Sequence, residues 1–225
     1  MGAYLTADDH RRVSDAVAAA ESRTAGEIVT VVADRSDGYS DVAFAWAALA
    51  SFTALAVFGL FPDLVLGKIE WLAGGWNHDW TDRELLGIAT ALAIVKFLGV
   101  WAILNWQPLR FWLIPPPIKT ARALGRAVDL FKVGAERRTH GRTGILIYLS
   151  MREHRAEIVA DEAIASQVVP ETWGEAMAAM LAHIKEGRCA DGMIAAVEKV
   201  GVVLAEHFPR AEDDQNELPD RLIEL

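Results

Sequence analysis

From Val42 to Phe61 the chain reads VAFAWAALASFTALAVFGLF, twenty residues with no charged side chain and only Ser51 and Thr53 polar. A helix rising about 1.5 Å per residue covers roughly 30 Å over that length, the thickness of a bilayer's hydrocarbon. A core helix at the edge of a soluble protein carries a polar stripe, and this run has none. The pattern predicts a membrane span. Leu85 to Trp106 predicts a second, interrupted at its middle by Lys96. Its aliphatic residues contribute about -3 to -5 kcal/mol to insertion against about +3 for a central lysine, so the balance is marginal for the helix alone. Paired with the first span as a hairpin, it lets Lys96 face a neighbour or snorkel toward an interface.

Outside the hairpin the periods alternate between helix and strand. Thr6, with Asp9 three residues on, opens a helix along which Val13, Ala16, Val17 and Ala20 recur at helical spacing. Glu27 to Ala33, EIVTVVA, is a β-branched run of the kind that forms a buried strand. Pro108 to Ile114, PLRFWLI, is too short to span and is expected to lie in the membrane interface until the prolines at 115 to 117 stop it. Ala121, Leu124, Ala127, Val128 and Phe131 mark the apolar stripe of the next helix, which Gly134 ends. Ile145 to Met151 and Glu157 to Ala160 are two strands across a polar turn, an antiparallel pair. A short helical piece follows Asp161 and stops at Pro170. Trp173, Met177, Met180, Leu181 and Ile184 mark a long helix closed by Gly187, and Asp191 is read as the cap of a last one carrying Met193, Ile194, Val197, Val200 and Leu204.

This order predicts an α/β fold in which one small mixed sheet has helices on both faces. Its first strand and its second stand on either side of the hairpin in the chain, so the hairpin is an insertion. The expected organisation is a first part of the soluble domain at 1–41, the transmembrane hairpin at 42–106, an interfacial segment at 107–118, the second part of the soluble domain at 119–210, and a loose acidic tail at 211–225.

Charge sharpens this picture. The net charge is -9, which argues against nucleic acid as a partner, since phosphate binding needs a cationic face. Residues 107–151 nevertheless carry eight Lys or Arg against two acidic residues, a basic band directly after the membrane segment. Arg35, Arg110, Lys119, Arg122 and Arg126 flank the hairpin on its near side, against Lys68 and Arg83 in its loop, so both soluble pieces are expected in the cytoplasm. Seven of the eight tryptophans fall in or beside the hairpin, as aromatic belts do. Trp71, Trp76 and Trp80 are expected on the far membrane surface. Lys96, Arg110 and Trp112 join them as candidate lipid contacts. The N-terminus lacks the layout of a cleaved signal peptide, so the first span is expected to act as its own signal. Cys189 is the only cysteine, which rules out an intrachain disulfide.

Candidate chemistry is sparse. The glycines at 134, 141 and 144 have neither the spacing nor the lysine of a phosphate loop. The six histidines make no HExxH pattern. Cys189 lacks an arginine six residues on, and Asp34 is followed by Arg35 and Ser36 rather than a second aspartate, so neither reads as a phosphatase nucleophile.

Four stretches carry a resemblance: RTAGEIVTVVAD at 23–34, AVDLFKVG at 127–134, RTGILIYLSMREHRAEIVADEAI at 142–164 and IKEGRCADGMIAAVEKVGVVLAEHFP at 184–209. In this order they resemble the TPM domain family. The resemblance implies a compact α/β/α sandwich. Members of the family are implicated in photosystem repair, in acid phosphatase activity and as membrane-tethered accessory subunits, roles that share no one chemistry. Some hold a divalent cation such as calcium in an acidic cleft at the sheet edge, for which the resemblance nominates Asp34, Asp161 and Asp191. Where many relatives have glycines after the strand ending at Ala160, this chain has Asp161, Glu162 and Ala163, which changes any such cleft.

Three functions follow as expectations. The first is a membrane-tethered binding or assembly module, partnered by the bilayer and by another membrane protein or complex. The second is a metal-assisted phosphate-ester hydrolase, an enzyme by family resemblance only. The third is lipid or small-ligand handling at the membrane interface.

Overall fold

A computed structural model describes residues 4–72, 74, 79–134, 143–210 and 220–225. The chain divides into two compact units, one formed by Met1–Asp37 with Pro115–Leu225, the other by Gly38–Ile114.

The first unit holds the sheet. Helix α1 (Ala7–Glu21) starts at Thr6, whose hydroxyl accepts from the Asp9 amide at 3.1 Å while the Asp9 carboxylate accepts from the Thr6 amide at 3.0 Å, a reciprocal cap. Strand β1 (Glu27–Ala33) pairs in parallel with β2 (Gly144–Ser150), from Glu27 opposite Gly144 to Ala33 opposite Ser150. Strand β3 (Arg155–Ala160) runs antiparallel on the far side of β2. Helix α6 (Pro116–Gly134) precedes β2; α7 (Glu162–Ala165), α8 (Pro170–Ile184) and α9 (Cys189–His207) follow β3. Strand β4 (Ile223–Glu224) adds to β1 in parallel, giving the order β3-β2-β1-β4.

Every residue of β2 is buried, as expected of a strand covered on both faces. Alternation divides its side chains between two cores. Ile145, Ile147 and Leu149 join Ile28 and Val32 against Val13 and Val17 of α1, Met180 of α8, and Met193, Val197 and Val200 of α9. Leu146 and Tyr148 join Val31 and Ala33 against Ala123, Ala127 and Phe131 of α6. The result is the α/β/α arrangement. Helix α9 lies close on α1: a Cβ placed on Gly201 falls 2.7 Å from the Ala20 Cβ.

The structure corrects three details in this unit. The buried stripe of α6 is Ala123, Ala127 and Phe131, with Ala121 and Leu124 exposed. The N-cap of α9 is Arg188, so Asp191 sits inside the first turn. Residues 223–224 form β4, where a loose tail was expected; the stretch 211–219, like the basic loop at 135–142, lies outside the described residues.

The second unit is helical. Helices α2 (Ser40–Leu60) and α4 (Asp82–Leu104) pack antiparallel: Phe44 stacks with Phe97 and with Trp101, each at 6.3 Å, and the Ser51 hydroxyl donates to the Ala93 carbonyl at 3.0 Å. Both are long and apolar enough to cross a membrane. Thr81 and Glu84 form a capping box that starts α4 three residues earlier than its apolar run suggests. Two short helices accompany them, α3 (Pro62–Leu72) after α2 and α5 (Gln107–Leu113) after α4. The loop reading of residues 62–72 is thus corrected to a helix with proline in its first turn.

Candidate functional site

In parallel α/β sheets ligands gather at the carboxyl ends of the strands. Here that end collects a polar network. Asp34 follows β1; its Oδ1 accepts from the Tyr4 hydroxyl and, at 2.9 Å, from Nε of Arg152, which follows β2. Burial disfavours the Asp34 carboxylate, but these two donors outweigh it and hold its pKa below the ordinary value. The Tyr4 phenol is shifted up in turn, mainly because its proton is engaged by Asp34. Glu153, in the β2–β3 turn, is buried; one of its oxygens accepts from the Ser36 amide at 2.8 Å and the other from the Ser150 hydroxyl. Ser36 also meets the Tyr148 hydroxyl at 3.0 Å. Tyr148 is fully buried, and burial raises its pKa. Arg122 of α6 pairs with Asp37 at 3.3 Å. His154 completes the turn with φ of 51°, a left-handed conformation that a branched residue would resist.

The chemistry of this network is inward. Asp34 and Glu153 are each engaged by protein donors, and Tyr148 is locked protonated in the sheet. Such a network fixes the strand ends and the two turns that leave them. Of its members only Asp34 is a candidate metal ligand from the sequence, while Arg122 is named there only for its charge. Ser150 and Glu153 were legible in principle, because a serine ending an apolar strand and an acid three residues on suggest a capped turn.

The other aspartates lie elsewhere. Asp161 accepts from the Gly144 amide at 3.0 Å, at the start of β2. Since Asp34 stands beside the end of that seven-residue strand, the two carboxylates are separated by its whole length, roughly 20 Å at 3.3 Å per residue. Asp191 pairs with Arg12 of α1 and, at 3.1 Å, with Arg188, which lower its pKa. A hard cation such as calcium takes six to eight oxygens converging on one point. Asp34, Asp161 and Asp191 do not converge, and among the described residues no group of three or more His, Cys, Asp or Glu could hold a metal ion. Among the described residues, these three aspartates do not fit that cofactor.

At the amino end of the sheet, Glu21 is buried with its Oε1 accepting from the Ile28 amide at 2.7 Å. Burial, with the nearby carboxyls of Glu27 and Asp220, pushes its pKa up to about 8.

In the helical unit the candidate lipid contacts divide. Arg110 is spoken for: Nε donates to the Leu104 carbonyl at 2.8 Å and Nη1 to the Gly38 carbonyl at 2.9 Å, so it closes the carbonyl end of α4. The Trp80 indole donates to Glu70 at 3.0 Å. Trp71 and Trp112 are more than three-quarters exposed, and Lys96 is exposed on α4. Trp76 lies outside the described residues.

The TPM domain model matches residues 120–203, from α6 into α9. The NMR structure of the BA42 protein from the psychrophilic bacterium Bizionia argentinensis sp. nov. is similar with a TM-score of 0.57 at 19% identity, covering 100% of this chain and 98% of that one. At that identity the likeness is one of fold. No curated protein matches the chain.

Proposed function

We propose that this TPM-domain chain is a membrane-tethered module for binding and assembly, anchored by α2 and α4. One observation carries the reading: none of the apolar window of α4 is buried within the protein. Leu86, Ile94, Val95, Leu98 and Ile103 are each more than half exposed, as are Phe52 and Leu60 of α2. Soluble monomers rarely leave apolar patches beyond a few hundred Å² in water, whereas hydrocarbon solvates such a surface at no cost. The α2–α4 pair satisfies its own backbone, as spanning helices must. The excess of Arg and Lys on the near flank supports a cytoplasmic side for the soluble domain. A network of mutually satisfied groups at the carboxyl ends of β1 and β2 suits a rigid docking body better than turnover. The phosphate-ester reading has no comparable support, because Asp34 and Asp161 stand at opposite ends of β2.

Cysteine accessibility in intact cells tests anchoring and orientation together. Cys189 is buried and burial pushes its thiol up to about 11, so it stays silent and introduced cysteines report alone. With Asp79→Cys in the hairpin loop and Ser166→Cys after α7, an impermeant maleimide is expected to label only the first. The reverse pattern overturns the orientation; recovery of the chain in the soluble fraction after carbonate washing overturns the anchor.

A further inference from the structure

Within the helical unit an open groove of about 850 Å³ runs along one side of the α2–α4 pair. Ala50, Ala54 and Val57 of α2 face Leu92, Lys96 and Val100 of α4 across it. Lys68 of α3 and Leu113 of α5 also line it. The lining is apolar except at Thr53 and the two lysines. Among the described residues neither lysine has a hydrogen-bond or ion-pair partner.

An unanswered cation in hydrocarbon is costly, about 2.5–3.5 kcal/mol at a helix centre on insertion scales. That cost falls on Lys96, near the middle of α4; with Lys68 of α3 opening into the same apolar groove, the site calls for an occupant that brings negative charge and a long apolar body. A transmembrane helix of a partner is about 10 Å across and must pass α3 and α5, which contribute residues to the groove. A lipid chain is narrower and enters from the side. Phosphate also suits lysine, which binds it as a point charge.

We propose that this groove is a binding site for an anionic phospholipid, with an acyl chain along the α2–α4 seam and the phosphate answered by Lys68 and Lys96. The proposal rests on the reading of α2 and α4 as spans. The test uses the full chain in nanodiscs of phosphatidylcholine, with and without phosphatidylglycerol, and counts the lipid retained on release by native mass spectrometry. Wild type is expected to retain phosphatidylglycerol over phosphatidylcholine. Lys68→Gln with Lys96→Gln is expected to reduce that preference about tenfold, the equivalent of 1.4 kcal/mol. Arginine at both positions, and Lys132→Gln outside the groove, are expected to keep it. Equal retention of the two lipids, a preference that survives the double glutamine variant, or retention of a free fatty acid or a second copy of the chain overturns this proposal alone. Failure of the wild type to enter nanodiscs overturns the membrane reading and this one with it.

Discussion

Nε of Arg152 donates to Oδ1 of Asp34 at 2.9 Å, tying the turn after β2 to the residue after β1. The backbone repeats the tie, with the Arg152 amide donating to the Asp34 carbonyl at 3.0 Å. The parallel pairing of β1 and β2 therefore ends in a charged clasp, and Tyr4 closes it from the start of the chain.

The clasp has an acid limit. Because the pKa of Asp34 lies lower in the fold than its ordinary 3.8, its stabilisation is present above that value and is lost as pH falls through the folded pKa. Thermal unfolding of wild type is expected to lose more stability between pH 5 and pH 2 than that of Asp34→Asn. At pH 7 the substitution is expected to cost about 1–2 kcal/mol, the range for one hydrogen bond to a charge with a partly exposed partner. Parallel acid profiles for the two proteins would exclude the clasp as a source of stability.

Glu21 works in the opposite sense. Its pKa is raised from 4.5 to about 8, so the fold retains a proton that the unfolded chain releases. Its contribution is fully present below about pH 4.5 and declines as pH rises to about 8. Glu21→Gln keeps an acceptor for the Ile28 amide and carries no charge. The variant is expected to match wild type at pH 4.5 and to exceed it at pH 8 by a few kcal/mol, each pKa unit being worth about 1.4. Urea midpoints at the two pH values measure the difference, and a variant less stable than wild type at pH 8 contradicts the burial argument.

Two helical glycines are expected to diverge on substitution. At Gly201 an added Cβ would meet Ala20 Cβ at 2.7 Å, between helices that cannot separate without opening the core. Gly201→Val is expected to destabilise by about 1–3 kcal/mol. At Gly125 in α6 nothing lies within 4 Å, and Gly125→Ala is expected to stabilise by about 0.5–1 kcal/mol through helix propensity. Denaturation of the two variants side by side separates packing from propensity.

The mixed sheet was legible because its strands are short β-branched runs, EIVTVVA and ILIYLS, long enough to be read and buried at every position but Val29. Helix α3 was not: Gly67, Lys68 and Glu70 dilute its pattern, and the glycines that follow at 74 and 75 make the whole stretch look like a loop. Strand β4 has two residues and no period; it exists because the Asp34 amide reaches the Leu225 carbonyl and the Leu225 amide reaches Val32, each at 2.9 Å. Tyr4 escaped notice for a related reason, since only the folded chain brings it to a carboxylate thirty positions on. Asp191 was misplaced by three residues because an acid favours both a cap and a first turn. Arg110 looked like a lipid contact from its charge and position. Its binding of the Leu104 and Gly38 carbonyls follows from backbone geometry that no periodicity encodes.

The pairing of Glu27 with Gly144 sets an order of events during synthesis. At 5–20 residues per second the ribosome needs on the order of ten seconds to pass from β1 to β2. Throughout that interval β1 has neither of its sheet neighbours, because β4 is made later still. Both long apolar helices emerge meanwhile, so they are complete before the sheet can close, and α1 with β1 must wait as an unfinished half whose apolar faces need shelter.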